Sequence, residues 1–498
     1  MPRFNVRAAS VLFTALVLSA SARAQSLPLS PPNAAPLTLE EAMARALKKN
    51  FDLRIQGFNS DLARESLEVA KTDFLPTLTG STNRTLSRST TTVAQPDGSL
   101  LTIPRDSNST SFSVGVSERV PQTNGTVSVS SNVSRNSNQR PEPFSSDATV
   151  QISQPLLKNA GPTVAKANIE RAKIGVSVAS LDYRSRVLSL VRDTENAYYN
   201  LVAARERLRI GRLSLELAQR LVDENTARRL AGLLTDLDVL NAEVGVANAR
   251  RTVIQAEQTV RNTEDSLLGL FAPGDFDDRP GAVAFEEYKP EPVSFAVSYK
   301  MARDNYPDTL SAEQRIKQLE MDLAIAKRAQ LPTLTLNASM RFNTTDSSYS
   351  DAVTSLPNDH GDARTIGFQY NMPWGMRADK SRYRTAIIQR DSQKVRLEQL
   401  EQTLLVQVRS AVRAVETNAA TVEIAAKATE LSAKQYELQK ARFDSGLSTS
   451  RLVLIEQDNL ESARVNELSS KVALRAAIAE LHRLEGTSLE RFKIQLPY

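Results

Sequence analysis

The 498-residue chain has no cysteine, only two histidines and a single tryptophan. Without cysteine there is no disulfide, no thiolate metal site and no lipid anchor on an N-terminal cysteine. His360 falls in a polar loop and His482 in a terminal helix, without ligand-like neighbours, so neither marks a metal site or a catalytic base. The seven methionines are scattered, which argues against a thioether-lined path for copper. No glycine-rich phosphate loop and no nucleophile elbow occurs. These absences predict no enzyme activity, no metal and no cofactor. Beyond the N-terminal region there is also no run of eighteen apolar residues, so a membrane could be entered only as strands.

The N-terminus has the pattern of a secretory signal. Pro2 to Arg7 carries two arginines, Val11 to Leu18 is mostly apolar, and Ala22-Arg23-Ala24 precedes Gln25, which places a signal peptide over residues 1–24. Its removal takes away Arg3, Arg7 and Arg23 and leaves 59 basic against 57 acidic side chains, a net charge of +2. Such a balance gives no footprint for nucleic acid. Residues 25–36, rich in proline, form a tether.

The most ordered pattern lies over residues 164–231, which contain no proline and glycine only at Gly175 and Gly211. Val187, Thr194, Leu201, Leu208, Leu215 and Val222 recur every seventh residue, and Leu190, Ala197, Ala204, Gly211 and Ala218 follow three positions behind. A seam of large residues beside a seam of small ones predicts a closely packed coiled coil. As a helix the stretch is a rod of roughly 100 Å, about three times the hydrocarbon thickness of a bilayer. No compact domain needs such a length, so the function must use it.

The chain looks duplicated. Ala70 to Thr79 ends in Leu75-Pro76-Thr77-Leu78-Thr79, and Ala326 to Thr335 ends in Leu331-Pro332-Thr333-Leu334-Thr335, 256 residues later. Arg228 to Thr235 realigns with Arg442 to Thr449 at an offset of 214, which brings Gly232 onto Gly446. The difference between the offsets leaves 42 additional residues in the first strand region. The expected layout is a first repeat over 37–271 (helical spacing from Leu39 to Asp73, strands 75–157, long helix 164–231, return helix 234–271) and a linker over 272–292. A second repeat follows over 293–486 (strands 331–374, long helix 378–445, return helix 448–485), then a tail over 487–498.

The strand regions are dense in Ser, Thr and Asn and alternate strictly. Leu334, Leu336, Ala338, Met340 and Phe342 point one way and Thr333, Thr335, Asn337, Ser339 and Arg341 the other; Ile366, Phe368, Tyr370, Met372 and Trp374 repeat the pattern. Alternation by itself is commoner in soluble sheets. An uncharged polar face, long polar connections over Thr90 to Asn108 and Thr344 to Ala363, and export turn the reading toward membrane strands of about ten residues. Four to six strands cannot close a barrel, and an open edge is not tolerated in lipid, so the chain must oligomerise.

With these residues in hand, the chain resembles the TolC-type outer-membrane efflux and secretion channels from Leu37 to about Leu484. The carriers are the helix opening Leu37-Thr38-Leu39-Glu40-Glu41-Ala42, the junctions Leu75-Pro76, Leu331-Pro332, Gln154-Pro155-Leu156 and Met372-Pro373-Trp374, and the two glycine turns. The resemblance implies a mainly α protein with a membrane β part: a homotrimer sharing an outer-membrane barrel of about twelve strands, continued by a long periplasmic α-helical coiled-coil barrel. It implies outer-membrane lipid, a periplasmic adaptor and an inner-membrane pump as partners, and export of drugs, small molecules or polypeptides. It further implies an aperture near the glycine turns. Asp238 stands at the family's first aspartate position, but Phe443 replaces its tyrosine, Ser448 its arginine, and Leu452 and Ile455 its two further aspartates. Asp236, Arg451, Glu456 and Asp458 are the remaining aperture candidates. Adaptor docking is expected at Gly232, Leu233, Leu234, Thr235, Gly446, Leu447 and Thr449.

The alternative of another class is a non-conducting envelope-spanning scaffold or adaptor-like coiled coil; an adaptor is expected to carry one helical hairpin, not two. Within the 42 additional residues, Ser111 to Val120 and Thr126 to Arg135 form an extra hairpin turning at Asn124-Gly125. This hairpin is either extra barrel wall, giving six strands per chain and eighteen per trimer, or a flap outside the shared barrel; the family's twelve strands favour the second, with the pair packed at the periplasmic rim.

Overall fold

The computed structural model describes residues 36–136, 143–271, 279–285, 293–358 and 360–495; the expected signal peptide, nearly all of the expected tether and most of the expected linker lie outside them. The chain begins with helices α1 (Leu39–Lys49) and α2 (Phe51–Lys71) and strands β1 (Thr77–Ala94), β2 (Leu100–Arg119), β3 (Thr126–Asn136) and β4 (Phe144–Pro155). A short helix α3 (Pro162–Ala165) leads into the long helix α4 (Ala167–Leu230) and its return α5 (Asp236–Leu270). Helices α6 (Phe295–Asn305) and α7 (Pro307–Arg328), strand β5 (Thr333–Asp346), helix α8 (Tyr349–Thr354) and strand β6 (Gly361–Asn371) follow. Helices α9 (Arg377–Asp444), α10 (Ser450–Glu485) and α11 (Ser488–Arg491) complete the fold.

Helical spacing from Leu39 to Asp73 gives two helices rather than one. Asn50 breaks them with an extended ψ, accepts a hydrogen bond from the Leu53 amide at 3.0 Å and donates one to the Leu270 carbonyl at 3.1 Å. Asparagine suits this position because its amide competes with the helix backbone and caps the next helix. The same bond stacks the end of α5 against the start of α2.

The long helices α4 and α9 have 64 and 68 residues, rods of about 95 to 100 Å. The large seam of α4 is buried at Val187, Thr194, Leu201 and Leu208, and the Thr194 hydroxyl folds back onto the Leu190 carbonyl at 2.8 Å. Ala204, Gly211 and Ala218 of the small seam are buried as well, which lets neighbouring helices approach. At mid-length α1 and α5 close over α4 to form the largest core, with Leu39, Met43, Val191, Tyr199, Val260 and Leu267.

Part of the linker is tied into this core by buried charge. Glu264, 2% exposed, pairs with Arg205 at 2.7 Å and Arg279 at 3.6 Å, and Arg205 also donates to the carbonyls of Pro280 and Gly281. The Tyr198 hydroxyl donates to the Leu37 carbonyl and accepts from the Ala284 amide. Arg475 lies 4.8 Å from the centre of the Tyr199 ring. A buried carboxylate is tolerated where cations and hydrogen bonds surround it in this way.

The strands form one antiparallel sheet, six-stranded among the described residues, in the order β1-β2-β3-β4-β5-β6. The placement of the hairpin at the rim is therefore corrected. Its strands lie inside the sheet, β2 paired with β1 along 18 positions and β3 with β4 from Thr126–Ser153 to Arg135–Phe144. The stretch Thr90 to Asn108 is not a loop either. It extends β1 and β2 past the last β2–β3 pair, Ser109 with Asn136, and turns at Asp97-Gly98, where Gly98 has φ +83°. Threonine-rich sequence on both sides of an Asp-Gly turn favours a hairpin over an open loop. Likewise, Thr344 to Ala363 contributes the ends of β5 and β6 and helix α8, whose Tyr349 meets Phe144 edge-on at 6.4 Å. His360 sits edge-on against Phe342 at 4.8 Å.

His482 ends α10 half-buried, its Nδ1 2.9 Å from an Arg491 guanidinium nitrogen. Burial, and then the Arg491 charge, press its pKa down from 6.5 to about 4. The unfolded chain therefore binds a proton near pH 6.5 that the folded chain refuses until about pH 4, so the histidine's contribution is present above pH 6.5 and is lost as pH falls toward 4. His482→Gln is expected to flatten the stability profile of the wild type between pH 6.5 and 4, measured by thermal unfolding; equal slopes for the two proteins would contradict this.

Candidate functional site: the amphipathic sheet and the glycine tips

Each ladder of the sheet pairs residue with residue without a slip, so the alternation of one strand carries across to the next. One face carries Leu78 on β1, Phe112, Val114 and Val116 on β2, and Val127, Val129 and Val133 on β3. It continues with Ala148, Val150 and Ile152 on β4, Leu336, Ala338, Met340 and Phe342 on β5, and Ile366, Phe368 and Tyr370 on β6. A single row links Leu78, Val116, Val129, Val150 and Met340. Phe112, Val129, Val150, Ile366 and Phe368 are exposed. Charges on this face flank its apolar rows: Glu118 beside the turn at one end, Arg84 and Arg135 in one row on the other side, the Arg88–Asp106 pair beyond them in the β1–β2 extension, and Asp362 paired with Arg364 at the start of β6.

The opposite face is hydroxyl and amide. It presents Thr79, Ser81 and Asn83, Ser113 and Ser117, Ser128, Ser130 and Asn132, Thr149 and Gln151, Asn337, Ser339 and Asn343, and Thr365 and Gln369. Of the charges described on it, Asp147 and Arg341 neutralise each other at 3.0 Å, and Arg119 stands at the end of β2 beside the turn. A two-sided sheet of this kind is stable where one face meets an apolar medium and the other meets water.

At the far end of the rods, both long helices stop in the same motif. Gly232 and Gly446 adopt φ of +75° and +73°. The amide of Gly232 bonds the Arg229 carbonyl and that of Leu233 the Arg228 carbonyl, both at 2.9 Å; Gly446 and Leu447 repeat this onto Phe443 and Arg442 at 3.0 and 2.8 Å. Two such bonds satisfy the last carbonyls of a helix while the left-handed glycine reverses the chain. Leu233 and Leu447 then stand 74% and 72% exposed, whereas Leu234 turns inward against a small core of Leu221, Ala242, Phe443 and Val453.

The aperture candidates are dispersed around these turns. Asp238 accepts from the Thr235 amide at 3.0 Å and hydroxyl at 2.7 Å, a capping box that starts α5 and holds its carboxyl below the usual range. Asp236 pairs with Arg229 at 2.8 Å. Glu456 accepts from Asn459 at 3.3 Å, and Arg451, Asp458 and Thr449 are exposed on or beside α10. Phe443 is 2% exposed. The Arg228 guanidinium covers its ring at 4.3 Å, donates to its carbonyl at 3.0 Å and reaches Asp444 at 3.2 Å. Sequence reasoning missed Arg228 as a functional residue. Its signal was only its place four residues before Gly232, and what it ties together is 215 residues away.

The profile of the outer membrane efflux protein family matches residues 116–272 and 298–487, more than half of the chain. The chain belongs to that family. It is thus an outer-membrane protein of the efflux-channel type, and the family match includes β3 and part of β2. Among individual relatives, the pyoverdine export outer membrane protein OpmQ of Pseudomonas putida is 28% identical over 162 residues, 32% of this chain and 34% of OpmQ. The outer membrane protein TolC of Escherichia coli is 22% identical over 333 residues, 63% of this chain and 66% of TolC. The chain thus aligns with about a third of OpmQ and just under two thirds of TolC. The fold extends further: the Campylobacter jejuni CmeC outer membrane channel superposes with a TM-score of 0.68 at 18% identity, covering 98% of this chain and 94% of CmeC. The open state of the Neisseria gonorrhoeae MtrE outer membrane channel gives 0.65 at 20% identity, over 90% and 88%.

At Gly232 and Gly446 an added Cβ meets no atom within 4 Å, so the cost of a side chain there is the left-handed backbone alone. Gly232→Ala and Gly446→Ala are each expected to weaken their tip by about 1 kcal/mol, with asparagine tolerated better. Faster amide exchange at Leu233 and Leu447 in the alanine variants is the readout; unchanged exchange would contradict the assignment.

Proposed function

We propose that three copies of this chain close their sheets into one outer-membrane barrel, and that their helices continue it as a tunnel conducting substrates from the periplasm to the exterior. The observation that carries the proposal is the unbroken amphipathic sheet set at one end of two rods of about 100 Å. Its apolar face meets lipid and its hydroxyl face lines water. With six strands per chain the shared barrel has eighteen, not the family's usual twelve. Barrels of about this size hold an aqueous channel. The sheet's lining carries the mutually neutralising Asp147–Arg341 pair and one further described cation, Arg119, beside the turn to β3, so its discrimination by charge is confined to that end.

In this reading the glycine turns are the periplasmic tips, and a periplasmic adaptor carrying an inner-membrane pump docks on the exposed Leu233 and Leu447, with Gly232, Thr235, Gly446 and Thr449 shaping the groove and Leu234 holding it from inside. The aperture closes through Arg228 on Phe443 and Asp444, with Asp236, Asp238, Arg451, Glu456 and Asp458 around it. Pyoverdine export by OpmQ puts a pyoverdine-like molecule among the candidate cargoes.

Purified protein in planar bilayers is expected to give stepwise conductance with weak ion selectivity, whereas a scaffold gives none. Leu233→Asp and Leu447→Asp are expected to abolish export in cells while leaving heat-sensitive trimers intact; normal export would refute the docking assignment.

The eighteen-strand wall has its own test. Labels at Val114 and Val129 are expected to be quenched by a lipid-soluble quencher at bilayer depth. Protection of both would return the hairpin to a place outside the wall.

A further inference from the structure

The four junctions between strands and helices repeat one arrangement, a large apolar side chain at the sheet with cations on its helix side. Leu75 follows Lys71, Leu156 and Leu157 precede Lys158 and Lys166, Leu331 follows Lys327 and Arg328, and Trp374 precedes Arg377 and Lys380. Leu75, Leu156 and Leu331 are exposed, and Trp374 is completely so. The helix ends and connections over 65–73, 158–173, 322–328 and 377–384 hold eleven Lys and Arg against six Asp and Glu. That excess of five is larger than the net +2 of residues 25–498, so the positive charge of the chain is gathered in this collar.

The carboxylates of the collar are engaged within it. Glu68 pairs with Lys71 at 2.6 Å, Glu170 with Lys173 at 2.8 Å and Asp322 with Arg171 at 2.7 Å, and Asp73 accepts from Asn168 at 3.1 Å. Asp379, 4% exposed, holds both Lys158 and Arg382 at 3.2 Å. Of the six only Glu65 has no partner among the described residues. Lys166, Lys327, Arg328, Arg377, Lys380 and Arg384 stand exposed and without an ion pair among the described residues.

The start of α9 shows the arrangement most clearly. Gly375 and Met376 both have positive φ, +71° and +48°, and this turn buries Met376 while Trp374 stays outside. Trp374 is the only tryptophan of the chain, and it ends the alternating run of Ile366, Phe368, Tyr370 and Met372 on the apolar face of the sheet. Arg377 and Lys380 follow roughly 5 and 9 Å further along the rod. Cations in the first turn of a helix oppose its dipole, so helix stability does not place them there. Apolar strand, then indole, then cation is the order in which a chain leaving a bilayer meets hydrocarbon, interface and phosphate.

Resting on the membrane placement of the sheet given above, we propose that the collar binds anionic phospholipid headgroups of the periplasmic leaflet, with Trp374 seated at the interface and Arg377 and Lys380 on the phosphates. The occupant is a lipid because the collar continues the apolar face of the sheet, and an anionic one because the collar's unpaired charge is positive.

The single tryptophan makes the test direct. The full chain is reconstituted in phosphatidylcholine vesicles containing a small fraction of brominated lipid, either phosphatidylcholine or phosphatidylglycerol, and the Trp374 emission is read. Both are expected to quench, brominated phosphatidylglycerol about fivefold more effectively, which is what one Lys or Arg near an anionic surface supplies. Arg377→Gln with Lys380→Gln is expected to make the two lipids equal while both still quench, and Arg377→Lys with Lys380→Arg to keep the preference. Equal quenching in the wild type, or a preference that survives the glutamine pair, would overturn the headgroup site and leave the lipid-facing sheet standing. Emission untouched by either lipid would overturn the collar, and an unquenched label at Val114 in the same vesicles would overturn the membrane placement of the sheet as well.

Discussion

Everything in this protein depends on the fact that a backbone amide in hydrocarbon has no water to bond to. A sheet can enter a membrane only if each strand finds a neighbour on both sides, and this six-stranded sheet leaves two edges without a partner strand among the described residues. The sheet's register, its two chemically distinct faces and the flanking positions of α2 and α9 all follow from that demand. Many large apolar side chains are exposed, those of the sheet gathered on the face opposite its hydroxyls and amides.

The helical part answers a different demand, that of spanning distance. Marginal burial is spread along the two long helices instead of being gathered in one core, so three local cores hold them: one at mid-length on α4, one where α6 meets α9 and α10, and one at the tips. The mid-length core is the most elaborate because it anchors the linker. Glu264, Arg205 and Arg279 place charge where apolar packing would suffice for stability, and their hydrogen bonds to residues 280 and 281 give that segment a defined position. The tip core is the smallest, and Arg228 spans it with one cation over a ring and one ion pair. A contact of that size holds two helix ends together.

The sequence by itself determined what depends on local spacing. Heptads over residues 164–231, glycine at the two turns, proline after Leu75 and Leu331 and strict alternation in the strands each constrain the backbone within one or two turns, and α4, the turns at Gly232 and Gly446, and the starts of β1 and β5 lie at those signals. Tertiary structure alone decided what depends on which distant segments meet. A hairpin with one apolar face fits a wall or a rim equally well until β2 and β3 are seen paired on both sides. Thr90 to Asn108 looks like a polar loop until Thr90 to Ala94 are seen paired with Leu100 to Pro104 across a short turn. Asp238 has the chemistry of an aperture carboxylate, yet its oxygens are bonded to Thr235, while the cation that covers Phe443 comes from Arg228 in the other half of the chain. Periodicity is written in neighbours three, four or seven residues apart, but pairing across 200 residues is settled by the packing of whole elements, and no single segment records it.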